Sequence, residues 1–135
     1  MLVHITQFLS EFSNIKTSNG NIMRPMTSDE LKLINKLLSE TFPGADQLRQ
    51  QIELAEVEEL DDQGSLRFFS SQSGQADVLQ RVPVEASTED SDGILIHVLI
   101  HVVGGRLHEL EFYKDSPGPI KSVPKLDSWK ISRFY

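Results

Sequence analysis

Cysteine is absent from the chain, which removes disulfides, thiolate metal sites and a cysteine nucleophile from consideration and favours a reducing compartment. Long apolar runs are missing too. The longest, Ile94 to Val103, is broken by His97 and His101 and has about half the length a helix needs to cross a bilayer. Met1 to Ile15 shows neither a basic leader nor a continuous apolar segment, and Glu11 stands where a signal peptide would carry its core. A cytoplasmic protein without membrane association is the expectation. There is no nucleophile elbow or kinase signature, and Gly104-Gly105 is too short for a phosphate loop and lies between strand-like segments. Internal repeats and low-complexity tracts are likewise absent.

What the chain does have is 135 residues, 39% hydrophobic and 24% charged, enough for one domain with a real core. Its charge is segregated. Between Glu53 and Asp92 lie eleven acids and two bases, Arg67 and Arg81, whereas the flanks carry nine acids and eleven bases. The middle is therefore nine units negative, the flanks two positive. A region of one sign attracts basic surfaces and repels nucleic acid and anionic membrane. Acids on turns and outward strand positions also simply keep a small protein soluble.

Along the chain, Leu2, Ile5, Phe8, Leu9 and Phe12 have the spacing of a short amphipathic helix, and 13–21 is rich in Ser, Asn and Gly. Residues 1–22 thus read as an N-terminal extension, and 23–135 as a single α+β domain with a basic C-terminal tail. Thr27 and Glu30 stand at capping-box spacing, with Met26 and Leu31 at that of a hydrophobic staple. A helix is predicted from Ser28, with Leu31, Leu33, Ile34, Leu37 and Leu38 inward, ended by Pro43-Gly44; a shorter one follows over 45–52. Period-two segments then suggest a strand at 53–60, preferred over an extension of the second helix to Leu60, and strands at 66–69, after the Asp61-Asp62-Gln63-Gly64 turn, and at 78–88, with a bulge or edge at Pro83. After an acidic turn at 89–93, Gly104-Gly105 joins Ile94–Val103 to Arg106–Lys114 as a hairpin. If those glycines are the whole loop, Leu99 faces Leu110, His97 faces Phe112 and His101 faces His108. Trp129 to Tyr135 alternates as a terminal edge strand. The expected fold is α+β, N-terminal helices followed by an antiparallel β-meander of about four to five strands, with the helices packed on one face of the sheet.

His101 and His108, as a cross-strand pair, invite a metal reading, but His97 is roughly 13 Å from His101 at about 3.3 Å per residue, and a zinc site needs carboxylates that the pairing does not identify. No cofactor, metal ligand or catalytic residue is assigned. Asp61 and Asp62, or Glu109 and Glu111, are candidate acid–base pairs without a defined geometry; Asp in the turn has a backbone reason to be there. The tail from Lys114 to Arg133 is basic and is expected to be solvated or to contact the acidic middle. The acidic middle supplies the candidate partner-binding residues: Glu53, Glu56, Glu58, Glu59, Asp61, Asp62, Asp90 and Asp92, with Trp129, Phe134 or Tyr135 as an aromatic anchor.

Met-Arg-Pro-Met-Thr-Ser-Asp-Glu from Met23, Asp-Asp-Gln-Gly-Ser-Leu-Arg-Phe at 61–68 and Gly-Arg-Leu-His-Glu-Leu-Glu-Phe-Tyr-Lys at 105–114 resemble a family of small bacterial α+β domains of unassigned function over about 23 to 120. The whole acidic chain also resembles an immunity protein of a bacterial contact-dependent growth inhibition system. That resemblance implies a cytoplasmic, non-catalytic antidote that binds a cognate toxin domain, a basic nuclease such as an EndoU-type RNase, and occludes its active site. The alternative is a small-ligand or metal-dependent enzyme using the hairpin histidines.

Overall fold

A computed structural model describes residues 15–70 and 74–133. The helix expected within the first twelve residues, and Phe134 and Tyr135, lie outside the described residues. The capping box is formed: Thr27 Oγ1 accepts from Glu30 N at 3.2 Å, and Glu30 Oε1 accepts from Thr27 N at 2.8 Å. These bonds satisfy donors that a helix start leaves unpaired, and helix α1 spans Ser28–Leu38. Removing the cap with Thr27→Ala is expected to lower stability by about 1 kcal/mol, read as a lower urea midpoint at unchanged slope. Leu33, Ile34, Leu37 and Leu38 are buried as expected, but Leu31 is 38% exposed. Gly44, at φ +90°, precedes α2 (Ala45–Gln51); a Cβ there would meet Val78 Cγ1 at 2.8 Å, so the close approach of Asp77 and Val78 requires glycine.

Seven strands form one antiparallel sheet: β1 (Arg24–Pro25), β2 (Glu56–Glu59), β3 (Leu66–Phe69), β4 (Val84–Glu89), β5 (Leu95–Val103), β6 (Arg106–Lys114) and β7 (Lys130–Arg133). Their order is β1-β2-β3-β6-β5-β4-β7. The expected four-to-five-strand meander is thus corrected in number and in path. Two three-stranded meanders join where β3 meets β6, β7 returns to flank β4, and β1 precedes the helices, so these are not strictly N-terminal. A two-residue strand shows no period, and β3–β6 pairing spans too many residues for a local pattern to reveal. β4 starts only at Val84, after Pro83, which has no N–H to give a ladder.

The hairpin turn is as expected, with Gly104 at φ +59° and Gly105 at φ +75° and Val103 opposite Arg106. The register beyond it is not. Val102 faces Leu107, but His101 faces Glu109, Leu99 faces Glu111 and His97 faces Tyr113, with an irregularity between His101 and Val102. His108 is the extra residue of a bulge. The cause is parity: Leu107 and Leu110 are three positions apart, so both reach the core only if one residue is skipped. Unbulged pairing would set Glu109 and Glu111 opposite Ile100 and Val98, which are fully buried; the bulge places Leu110 and Phe112 there instead. Both helices contribute to the core on that same inner face, where Ile34, Leu37 and Leu48 join Val57, Leu66, Ile96, Val98 and Ile100 in one cluster. A helical turn over Leu126–Ser128 leads into β7, and Lys36 Nζ donates to Leu126 O at 2.6 Å.

Candidate functional site

β3 and β5 both run antiparallel to β6, so the turns that precede them, 61–64 and 90–93, open at the same end of the sheet. Glu59, Asp61, Asp62 and Asp92 are assembled at that end, although Asp92 accepts from Lys114 Nζ at 2.6 Å and Glu59 from Arg24 at 3.1 Å. Asp61 also holds its own turn, Oδ1 accepting from Gln63 N and Ser65 N at 2.9 and 3.0 Å. Glu53 and Glu56 lie at the other end of β2.

Two of the eight candidate acids are not surface residues. Glu58 is 1% exposed and accepts from Thr17 Oγ1 and Asn19 Nδ2, which fold over it. The Asp90 side chain is fully buried against Lys114 Nζ at 2.8 Å, and it also accepts from Lys121 N, Ser122 Oγ and Ser91 N, each at 2.7 Å. Burial pushes the Asp90 carboxyl up, but these four donors outweigh it and hold the group far below the usual carboxylate range. The basic tail therefore does contact the acidic middle, through Lys114 and Lys121.

Beside the acidic end, α1, the 62–64 turn and the 120–129 segment enclose a cleft of about 470 Å³. Its floor is apolar, with Leu33, Ile96, Leu110 and Phe112, and Trp129 stands edge-on to Phe112 at 6.1 Å. Trp129 is 6% exposed; it lines this cleft and does not project as an anchor. Asp29, Asp62 and Lys32 are at the cleft's edge, and Gln63 Oε1 is buried without a hydrogen-bond partner among the described residues.

The opposite, open face carries a row in register across four strands: Glu58, Arg67, Glu109 and His101. His101 Nε2 and Glu111 Oε1 are 2.7 Å apart, and Arg81 Nε donates to His101 Nδ1 at 3.1 Å. His97 pairs with Asp115 at 2.7 Å and stacks on Tyr113. His108, which was expected opposite His101, is displaced by the bulge; burial first, then Arg67 and Arg81, lower its pKa. Sequence reasoning missed Glu109 and Glu111 as neighbours of His101. The available signal was the three-residue spacing of Leu107 and Leu110.

The sequence profile of a domain of unknown function (DUF6984) matches residues 23–124. The chain belongs to the DUF6984 family. The match begins at the Met-Arg-Pro segment and runs through the hairpin and the cleft's 120–124 wall, while residues 1–22 and β7 lie beyond it. The DUF6984 description assigns no activity. No curated protein and no solved structure matches the chain. No helix among the described residues is long and apolar enough to cross a membrane.

Proposed function

We propose that this DUF6984 protein is a non-catalytic inhibitor, an immunity protein of a contact-dependent growth inhibition system that covers the basic cleft of a nuclease toxin, an EndoU-type RNase, with its acidic end. The observation that carries this reading is the convergence of Glu59, Asp61, Asp62 and Asp92 at one end of a rigid sheet, next to an apolar cleft. A nuclease groove must present Lys and Arg to phosphates. Carboxylates held at fixed spacing compete for the same groups, and a neighbouring apolar cleft supplies the dry centre that strong interfaces have. The whole-chain resemblance to immunity proteins supports the same reading.

The reading requires a nuclease toxin domain encoded next to this chain's gene, and the test uses that domain; a neighbourhood without one would count against the reading. Glu59→Lys and Asp62→Lys together are expected to weaken its binding by at least about tenfold and to flatten the salt dependence of the association rate, which for the parent chain falls steeply as salt rises. Asp61 and Asp90 are left intact because one holds its turn and the other is buried against Lys114, whereas the Glu59 carboxylate has only an exposed pair with Arg24. Unchanged affinity in the double variant would remove the acidic end from the interface.

A further inference from the structure

The bulge at His108 converts a face that would present two histidines into one that presents a histidine between two carboxylates. His101 stands opposite Glu109, and Glu111 lies two residues further along the same face. One ligand atom from each of the three lies within 4.8 Å of the others, and all three side chains are half-buried. Tetrahedral coordination at about 2.0–2.2 Å spaces ligand atoms roughly 3.3–3.6 Å apart, so side-chain movements on the order of 1 Å, including opening of the 2.7 Å His101–Glu111 hydrogen bond, bring the three into place. An imidazole nitrogen with two carboxylate oxygens suits a first-row divalent cation such as Zn²⁺, whereas Mg²⁺ favours an all-oxygen, largely hydrated shell. Bulges that re-aim side chains are enriched beside functional sites.

The surrounding charges fit a cation. Glu109 and Glu111 share one strand face, where like charges repel. The Glu109 carboxylate makes no hydrogen bond or ion pair among the described residues, and Arg67, opposite it in register, has its guanidinium over the Phe69 ring at 5.6 Å. The cationic contact already present at His101 comes from Arg81. By donating to Nδ1 it places the neutral ring's proton on Nε2, facing Glu111. A metal ion binding Nε2 requires the proton on Nδ1, where it opposes the Arg81 N–H. Arg81 is exposed and free to turn outward.

We infer that His101, Glu109 and Glu111 form a binding site for a Zn²⁺-class divalent cation, for which Arg81 competes. The site lies on the face away from the cleft and does not depend on the inhibitor reading. The test is calorimetric titration of the metal-free full chain with ZnCl2, with MgCl2 as the comparison. One Zn²⁺ per chain is expected, with weaker or no Mg²⁺ binding. Glu109→Gln with Glu111→Gln should lower the affinity at least about tenfold, Arg81→Ala should raise it several-fold, and His97→Ala, whose ring contacts Asp115 and Tyr113 and none of the three ligands, should leave it unchanged. Circular dichroism checks that each variant is folded, and Arg81→Ala keeps the inference testable if the double variant is not. Zn²⁺ affinity that survives the Glu109/Glu111 substitutions or falls in His97→Ala, or absence of binding by both the parent chain and Arg81→Ala, would overturn the site.

Discussion

Asp90→Ala will lower the thermal midpoint by about 10 °C or more, the largest effect expected of any single carboxylate in this chain. Its side chain is completely buried and meets four donors from three places: the β4–β5 turn itself, the end of β6, and the 121–122 segment. Removing the carboxylate leaves the Lys114 ammonium, 3% exposed, with Asp92 and the Pro119 carbonyl as its remaining partners, and orphans the Lys121 amide. A buried ammonium that loses one of its two carboxylate partners is poorly compensated. The double variant Asp90→Ala, Lys114→Met should therefore recover part of the lost midpoint in thermal unfolding followed by circular dichroism, less what Asp92 loses with Lys114. A double variant as unstable as Asp90→Ala alone would place the loss in the 121–122 contacts and not in the under-compensated ammonium.

Acid should expose the same group. The Asp90 carboxyl lies far below its ordinary value because its donors overcome burial; Asp92 is lowered chiefly by Lys114, and Glu30 chiefly by Arg24. A carboxylate depressed in the folded state stabilises it fully above the unfolded pKa and loses that contribution as pH falls through the folded value. Stability from these groups is thus level above about pH 5 and declines progressively below about pH 4, the ordinary carboxylate range. In Asp90→Ala the decline should be visibly shallower.

The same residues show why the surface was harder to read than the elements. Thr27 and Glu30 declare α1 because a capping box is encoded within four positions, and Gly104-Gly105 declares the hairpin because only that turn needs two positive φ values in succession. Nothing local distinguishes Asp90 from Asp92, or Glu58 from Glu59. Which of each pair is buried depends on Lys114 and on residues 17–19, elements that sequence spacing does not bring together. The pairing of β3 with β6 is hidden for the same reason. The bulge is an intermediate case: Leu107 and Leu110 announce a change of parity, but a simple two-residue hairpin accommodates the turn so well that the conflict further along the strands is easily passed over. It is this conflict that replaces His108 with Glu109 opposite His101.

Gln51→Leu is expected to destabilise the chain by about 2–4 kcal/mol despite similar side-chain volume, because it strands buried backbone groups. Gln51 ends α2 at 1% exposure. Its Nε2 donates to Gly105 O at 2.9 Å and Gly74 O at 3.2 Å, and its Oε1 accepts from Leu107 N at 2.7 Å. Gly105 O keeps a second donor, Ala76 N at 2.8 Å, so the main loss falls on the Leu107 amide. That amide immediately precedes the bulged residue. Gln51 thus pins the hairpin to α2 at the point where the register shifts, while Gly105, whose added Cβ would lie 2.7 Å from Gln75 Cβ, admits the 75–76 segment on the other side. Substituting the exposed neighbour, Gln50→Leu, should change stability by less than about 0.5 kcal/mol. Urea denaturation separates the two variants, and hydrogen exchange at Leu107 gives the mechanism. Faster exchange there than elsewhere in β6 locates the loss at the turn, whereas a uniform increase means that Gln51 acts only through global stability. Because the unbulged register would drive Glu109 and Glu111 into the core, a loosened turn should fray rather than slip, and the His101 cluster should lose order before the sheet does.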